Sequence, residues 1–504
     1  MKRAAGVLVN VSSFPGEFGV GGFSKEGAAV ITVLEECGFK WWQVLPITTI
    51  GAGNSPYSGV SAFAGNYLYI NPYTLLSDGL ITNDELSRAR YGGQPYQADY
   101  EFAKRAIRGV LDAAYSRARD GLKDEIAAFA DENAAWLDDY AAYMTATELF
   151  GGDRRNWDVG LKRHDEEAVA AFVASNRDRY GFYLFEQYEF FRQWKKLKDY
   201  ANERGIKILG DLPFYVAADS ADVWGNQSLF KLSADGSVDE TAGVPPDYFA
   251  EDGQLWGNPV FDFDKMAEDG FKWWRRRITH NLKLYDGLRL DHFRAFAEYY
   301  SVPIPKSGEK PSARDGFWND GPGMKLLSLV KSDNPNAFLI AEDLGVIDEK
   351  VSELVKASGF PSMKVLQFAF ESFDSIHLPH KFDKNTVAYT GTHDNNTTLG
   401  WLYDAKPDVR DYAFRYVGYD GKAWGAGGRD CPSTRALIRA LISSVADLAV
   451  IPIQDLAGYG GDTRMNVPGI PEGNWRFRVH YDMLGEIDRA YFLGLNNLYG
   501  RNIK

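Results

Sequence analysis

The chain has 504 residues, 45% of them hydrophobic and 25% charged, a composition that excludes a disordered protein and allows one large barrel or several smaller domains. Its net charge of -13 repels nucleic acid and anionic membranes, so neither is expected as a partner, whereas a neutral ligand such as a sugar meets no such barrier. Two cysteines, Cys37 and Cys431, are too few for a disulfide framework at this length and read as free thiols of a reducing compartment, the cytoplasm.

Met1-Lys2-Arg3 precedes an apolar run from Ala4 to Val9 that Asn10 interrupts, with Ser12-Ser13 soon after. This is too short for the apolar region of a signal peptide and reads as a first strand. No apolar stretch is long enough to cross a bilayer. Further along lie eight short apolar runs, most ending at a polar or acidic residue: 6–9, 41–47, 206–211, 287–291, 338–343, 363–368, 387–394 and 448–455. Runs of this kind suit strands buried on both faces. Helical patterns over 25–37, 350–358 and 434–447 alternate with them. The alternation predicts an α/β fold with a parallel sheet, and eight strands predict a closed (β/α)8 TIM barrel.

Two segments break the rhythm of this single 1–504 unit. No proline occurs between Pro95 and Pro213, and helix-forming residues dominate, for instance over 183–200. The region from about 58 to 205 is therefore read as including a mainly helical insertion. Residues 218–264 are dense in Gly, Pro, Asp and Trp. They read as an irregular functional loop, extending to about 275 and covering the active face. No internal repeat, low-complexity tract or linker stands out.

Four strand ends carry candidate chemistry. Asp211 precedes Pro213, which ends its strand, and either bonds a ligand or braces the barrel mouth. In Asp286-Gly287-Leu288-Arg289-Leu290-Asp291, Arg289 and Asp291 share a strand face. An arginine beside an aspartate favours the charged carboxylate that a glycosidase nucleophile needs, although a buried structural ion pair would use the same residues. Glu342 and Asp343 leave an apolar strand. Desolvation there would raise a carboxyl pKa and make a general acid of Glu342, but a helix N-cap is an alternative for the pair. The fourth end, Gly391-Thr392-His393-Asp394-Asn395-Asn396-Thr397, offers donors and acceptors suited to sugar hydroxyls. A metal site at His393-Asp394 is rejected because no second ligand cluster stands at suitable spacing. The glycine clusters at 19–22, 425–428 and 458–461 lack a nucleotide-binding fingerprint, and no phosphate loop or Ser elbow occurs, so no cofactor is expected.

With these residues in place, the chain resembles the amylomaltases, the 4-α-glucanotransferase or disproportionating-enzyme family of the α-amylase clan. The matching stretches run in order along nearly the whole chain: Asn54-Ser55-Pro56-Tyr57, 61–66, 210–216, 243–247 through 256–259, 289–294, 341–345, 391–397, Gln454-Asp455-Leu456, Arg464-Met465-Asn466 and Glu472-Gly473-Asn474-Trp475. The resemblance implies Asp291 as nucleophile, Glu342 as acid/base and Asp394 as the carboxylate that stabilises the transition state. It implies sugar contacts from Tyr57, Asp211, Trp256, Asn258, Arg289, His292, His393 and Asn466, and a loop over 245–258 that shields the intermediate from water. Sugars present apolar C–H faces, so Tyr57, Trp256, Tyr248 and Phe249 are stacking candidates; core packing is the alternative for each. Phe14, Ala295 and Gly458-Tyr459-Gly460 depart from the usual family pattern and touch none of the three carboxylates. The implied activity is transfer of α-1,4-glucan segments from maltooligosaccharide or starch-type donors to an acceptor glucan or glucose. The rival expectations are an α-1,4-glucan hydrolase of the same clan, which the sequence separates only through the 245–258 loop, and a non-catalytic barrel that binds glucan or a protein partner.

Overall fold

The computed structural model describes residues 2–502 except 234, 247–250 and 346. Among the described residues, twelve strands form two sheets. In chain order they are β1 (Ala4–Leu8), β2 (Trp41–Gln43), β3 (Lys207–Leu212), β4 (Glu240–Val244), β5 (Gln254–Pro259), β6 (Gly287–Leu290), β7 (Glu298–Pro303), β8 (Phe317–Asp320), β9 (Leu339–Ala341), β10 (Ser362–Val365), β11 (Thr386–Tyr389) and β12 (Leu448–Pro452). Eight of them make a parallel sheet in the order β10-β11-β12-β1-β2-β3-β6-β9. These are the eight apolar runs of the sequence, and together they form a nearly closed barrel of the (β/α)8 type.

The barrel closes across the gap between β9 and β10 without a full ladder. Ala341 N–H donates to the Pro361 carbonyl at 3.0 Å. Beside it, the Asp343 carboxylate takes the Met363 N–H at 2.7 Å. A side chain thus replaces a backbone acceptor at the seam.

The barrel interior is filled from the bottom up. Gly6 lies against Trp41, whose Cβ and carbonyl would stand 2.8 and 2.9 Å from any Cβ added at position 6, so the bare glycine lets β1 and β2 approach closely there. Above this level the inward positions become polar. Tyr389 OH donates to Gln43 Oε1 at 2.9 Å, and Asp211 sits in register with Arg289.

Helices Lys25–Glu36, Arg177–Glu203, Lys272–Leu284, Gly323–Asp333, Glu349–Ser358 and Pro432–Ser443 each lie between consecutive barrel strands. The connection from β10 to β11 carries only short 3-10 turns, Leu366–Phe368 and Pro379–Lys381. Between β2 and β3 the long helices Tyr100–Gly121 and Lys123–Phe150 precede Arg177–Glu203. Buried Glu186 on the last of these accepts from Arg108 at 2.9 Å and from Tyr140 OH at 3.1 Å. No described helix is long and apolar enough to cross a membrane. Cys37 and Cys431 are buried free thiols.

Three sequence expectations need correction. Residues 218–264, read as irregular, hold the short helix Ala221–Gly225 and the strands β4 and β5. These belong to an antiparallel sheet ordered β5-β4-β7-β8. Its short, polar, Gly- and Pro-bearing strands are stabilised by pairing and lack a local pattern. The helix expected over 434–447 ends at Ser443, where Ser444 turns extended. Several strands also stop earlier than their apolar runs, because the loops at the barrel mouth are themselves buried.

Removing the acceptor at the seam tests its weight. Asp343→Ala leaves the Met363 N–H unpaired in a buried place and is expected to cost about 1–3 kcal/mol. Asp343→Asn keeps an acceptor oxygen and costs clearly less. Urea unfolding midpoints of the two variants check this; equal midpoints would show that the seam does not depend on this bond.

Candidate active site

The parallel ladder continues one residue past the strands. Asp291 N–H donates to Leu212 O at 3.0 Å, Glu342 N–H to Leu290 O at 3.1 Å, and Phe293 N–H to Glu342 O at 3.1 Å. These backbone bonds fix where the two carboxylates leave β6 and β9. His292, next to Asp291, takes a left-handed backbone at φ 48°, an uncommon geometry for a side chain with a Cβ. Its N–H then donates to Glu342 Oε2 at 2.8 Å, while Leu344 N–H donates to Oε1 at 3.0 Å.

At the centre stands Arg289, only 5% exposed. Its Nη1 lies 2.7 and 2.8 Å from the two Asp211 oxygens and 2.8 Å from Asp291 Oδ1. Its Nη2 lies 4.0 Å from Glu342 Oε2. Burial works against the guanidinium charge, but Asp211 and Asp291 more than restore it and hold Arg289 far above its ordinary range. Burial also pushes the Asp211 carboxyl up, opposed by Arg289, and Tyr57 OH donates to Asp211 Oδ2 at 2.9 Å. Burial first, then the Asp291 charge, drive the Glu342 carboxyl up to about 7 against the pull of Arg289 and the two backbone N–H groups. The acidic pair does not cap a helix. Asp348 takes that role for Glu349–Ser358, and Asp343 serves the barrel seam.

The third carboxylate comes from the loop after β11. Asp394 Oδ1 accepts from Asn466 Nδ2 at 2.6 Å, and the Asp394 carbonyl accepts from Arg464 Nη2 at 2.5 Å. His393 stacks on Tyr57, with ring centroids 5.1 Å apart and planes 16° off parallel. Trp475 leans on both rings at 5.9 and 5.8 Å.

Asp291, Glu342 and Asp394 open into one cleft at the C-terminal mouth of the barrel, about 420 Å³ in volume. Tyr57, Trp256, Asn258, His292, His393 and Asn466 line the same cleft. Arg289 and Asp211 lie beneath, reaching the cleft through Asp291 and Tyr57. Trp256 sets its ring on the His292 imidazole, 5.0 Å between centroids and 83° between planes. Asn258 Nδ2 donates to Val216 O at 2.8 Å and so ties β5 to the segment after β3. Burial pulls the His292 imidazole down to about 4, leaving it neutral at physiological pH. Tyr248 and Phe249 lie outside the described residues.

Gln254, Pro468 and Trp475, which the sequence did not single out as sugar contacts, also line the cleft. The family-like run Glu472-Gly473-Asn474-Trp475 pointed towards Trp475. Its placement depends on a left-handed backbone at φ 64° and on its carbonyl accepting from Tyr100 OH at 2.8 Å, neither of which the sequence displays.

A family model described as 4-alpha-glucanotransferase matches residues 9–483. A 4-alpha-glucanotransferase of Aquifex aeolicus is 42% identical over 505 residues, spanning 99% of this chain and 100% of the relative. One from Streptococcus pneumoniae serotype 4 is 38% identical over 507 residues, spanning 99% and 98%. Among solved structures, the amylomaltase from Streptococcus agalactiae in complex with acarbose superposes with a TM-score of 0.94 at 36% identity, covering 99% of this chain and 100% of its own.

The raised Glu342 carboxyl has a pH signature in stability. The folded protein holds a proton that the unfolded chain releases above its ordinary value of 4.5, so stability falls as pH rises from 4.5 towards about 7. Glu342→Gln lacks this loss. Relative to the parent, the variant gains on the order of 3 kcal/mol over that interval, at about 1.36 kcal/mol per pH unit. Chemical denaturation at pH 4.5, 6 and 8 measures the difference; a constant offset across the series would contradict the burial argument.

Proposed function

The chain belongs to the 4-alpha-glucanotransferase family, and from that membership we propose how its cleft carries the reaction. The enzyme moves a segment of α-1,4-glucan from a maltooligosaccharide or starch-type donor to the 4-hydroxyl of an acceptor glucan, or of glucose. The mechanism is a retaining double displacement. The neutral Glu342 carboxyl protonates the glycosidic oxygen as Asp291 attacks the anomeric carbon, so the donor's reducing end leaves and a glucosyl ester forms on Asp291. Asp394 bonds sugar hydroxyls as positive charge develops on the ring. The acceptor 4-hydroxyl then gives its proton to the Glu342 carboxylate and attacks the same carbon, releasing Asp291. Two inversions restore the starting configuration.

The observation that carries this reading is the crowding of three carboxyl groups around one buried guanidinium. Arg289 contacts Asp211 and Asp291 directly and Glu342 least, at 4.0 Å. Asp291 has a cation facing its charge, and Glu342 holds its proton up to about pH 7, which divides the roles of nucleophile and acid. Asp211, Arg289 and His292 shape the reacting subsite from beneath and beside it. Tyr57 and Trp256 offer aromatic surface to the sugar, and Asn258, His393 and Asn466 offer hydrogen bonds. Within the single unit, the region from about 58 to 205 includes a mainly helical insertion and about 218–275 covers the active site; Gln254, Trp256 and Asn258 on β5 line the cleft and support transfer over hydrolysis by crowding out water. A reducing cytoplasm suits the two buried thiols.

Incubation with maltotriose tests this directly. Glucose plus a ladder of longer maltooligosaccharides, with little net rise in reducing ends, is the expected result. Short products alone, with reducing ends rising in step, would make the enzyme a hydrolase. Glu342→Gln is expected to lower the rate by about 10²–10⁴-fold. In the parent, kcat/KM for maltotriose should decline above about pH 7 as Glu342 loses its proton; a flat profile to pH 9 would remove Glu342 as the acid.

A further inference from the structure

The loop that presents His393 and Asp394 hangs between two buried threonines. Thr390 follows β11, and Thr398 opens the helix Thr398–Asp404. Between them run seven residues, 391–397, that include the glycine Gly391 and two adjacent asparagines. Such a segment has many conformations available unless its ends are fixed.

Asp455 fixes both ends at once. It lies in the short helix Ile453–Leu456 directly after β12 and is 3% exposed. Its Oδ1 takes the Thr398 N–H at 2.7 Å. Its Oδ2 takes the Thr398 hydroxyl at 2.7 Å and the Thr390 hydroxyl at 2.6 Å. Among the described residues, the hydrogen-bond partners of the Asp455 carboxylate are one backbone N–H and two hydroxyls, and no cation pulls on it. A buried carboxylate without a cation is costly, and burial accordingly pushes this carboxyl up against the pull of its three donors. The neighbours Ile453 and Leu456 are apolar and buried, and an apolar side chain at 455 would fill the same volume more cheaply. Barrel packing therefore does not account for the carboxylate. The join between Thr390 and Thr398 does.

The same stretch of chain also grips the centre of the loop. Arg464 holds the Asp394 carbonyl and Asn466 its side chain, as described above. Between Asp455 and Asn466, three side chains thus fasten the loop at its two ends and at its functional residue. Gln367 Nε2, from the other side, donates to the Asn396 carbonyl at 2.8 Å.

We propose that Asp455 is a positioning residue for glucan transfer, setting through Thr390 and Thr398 the span of the loop that presents His393 and Asp394 to the sugar. This rests on the role given to Asp394 above. A shift of about 1 Å in a reacting group costs on the order of 10²-fold in rate. Asp455→Ala is therefore expected to lower kcat for maltotriose disproportionation by about 10–100-fold, with KM changed by less than about 3-fold, since the lost interaction acts in the transition state. Asp455→Asn restores most of the rate. Its amide oxygen still accepts from Thr398 N–H, and its NH2 group donates to two hydroxyls that turn to accept.

A double-mutant cycle separates positioning from general damage. In an Asp394→Asn background, Asp455→Ala should cost less than about 3-fold, because the group it positions is already disabled. An equal cost in both backgrounds would overturn the proposal and leave the role of Asp394 standing. Full activity of Asp394→Asn alone would instead remove the role of Asp394, and the positioning proposal with it. Should Asp455→Ala not fold, Thr390→Val and Thr398→Val, which each delete one hydroxyl at constant shape, are measured in the same cycle. Parent-like kcat in both would overturn the proposal; a 3–10-fold loss in each that vanishes beside Asp394→Asn would support it.

Discussion

One guanidinium organises the upper half of this barrel. Arg289 is buried, and around it converge carboxyl groups from β3, from the end of β6 and from the end of β9. One positive charge cannot balance three negative ones in a place with little water. Arg289 contacts Asp211 and Asp291, while Glu342, the farthest of the three and pushed up first by its own burial, keeps its proton up to about pH 7. Two carboxyl groups of the same chemistry thus differ through burial first and through their distance from one guanidinium second. Asp211, which touches no open space in the cleft, matters because it competes for the same cation and anchors the hydroxyl of Tyr57.

From that pairing outward, the site is a set of strand ends fixed by their neighbours. Asp291 and Glu342 are held through backbone bonds that prolong the ladder. The backbone pays for this geometry with left-handed turns at His292 and Trp475, both beside the cleft. Such residues hold only where the surroundings over-determine them: His292 N–H donates to Glu342, and the Trp475 carbonyl accepts from Tyr100 OH. Rigid strands and strained turns together place the aromatic rings and carboxylates of the cleft.

The barrel strands were legible in the sequence because each is buried on both faces and so nearly continuous in apolar residues. The run 287–291, for example, ends on the very carboxylate that enters the cleft. Legibility stopped where stability comes from partners distant in the chain. Strands β4, β7 and β8 have sequences such as Glu-Thr-Ala-Gly-Val and Phe-Trp-Asn-Asp, which say little until they pair. Strand ends were over-read at 41–47 and 448–455, since the residues leading into the cleft are as buried as the strands. Arg289 and Asp291 could be matched by their alternation on one strand. That Arg289 also serves Asp211 required the register between β3 and β6.

Closure of the barrel joins Ala4 to Leu448 in the ladder between β1 and β12. During synthesis β1 leaves the ribosome with one edge bare, and β2 covers only the other. At about 5–20 residues per second the missing partner follows tens of seconds later. For that interval a strand of Ala, Gly, Val and Leu exposes unpaired N–H and C=O groups, an invitation to pair with another nascent chain. The helices made in between, above all the long ones between β2 and β3, bond to one another through Arg108, Tyr140 and Glu186, all made before β12. A circular sheet assembled from a linear chain thus keeps one edge of its first strand open until its last strand is made.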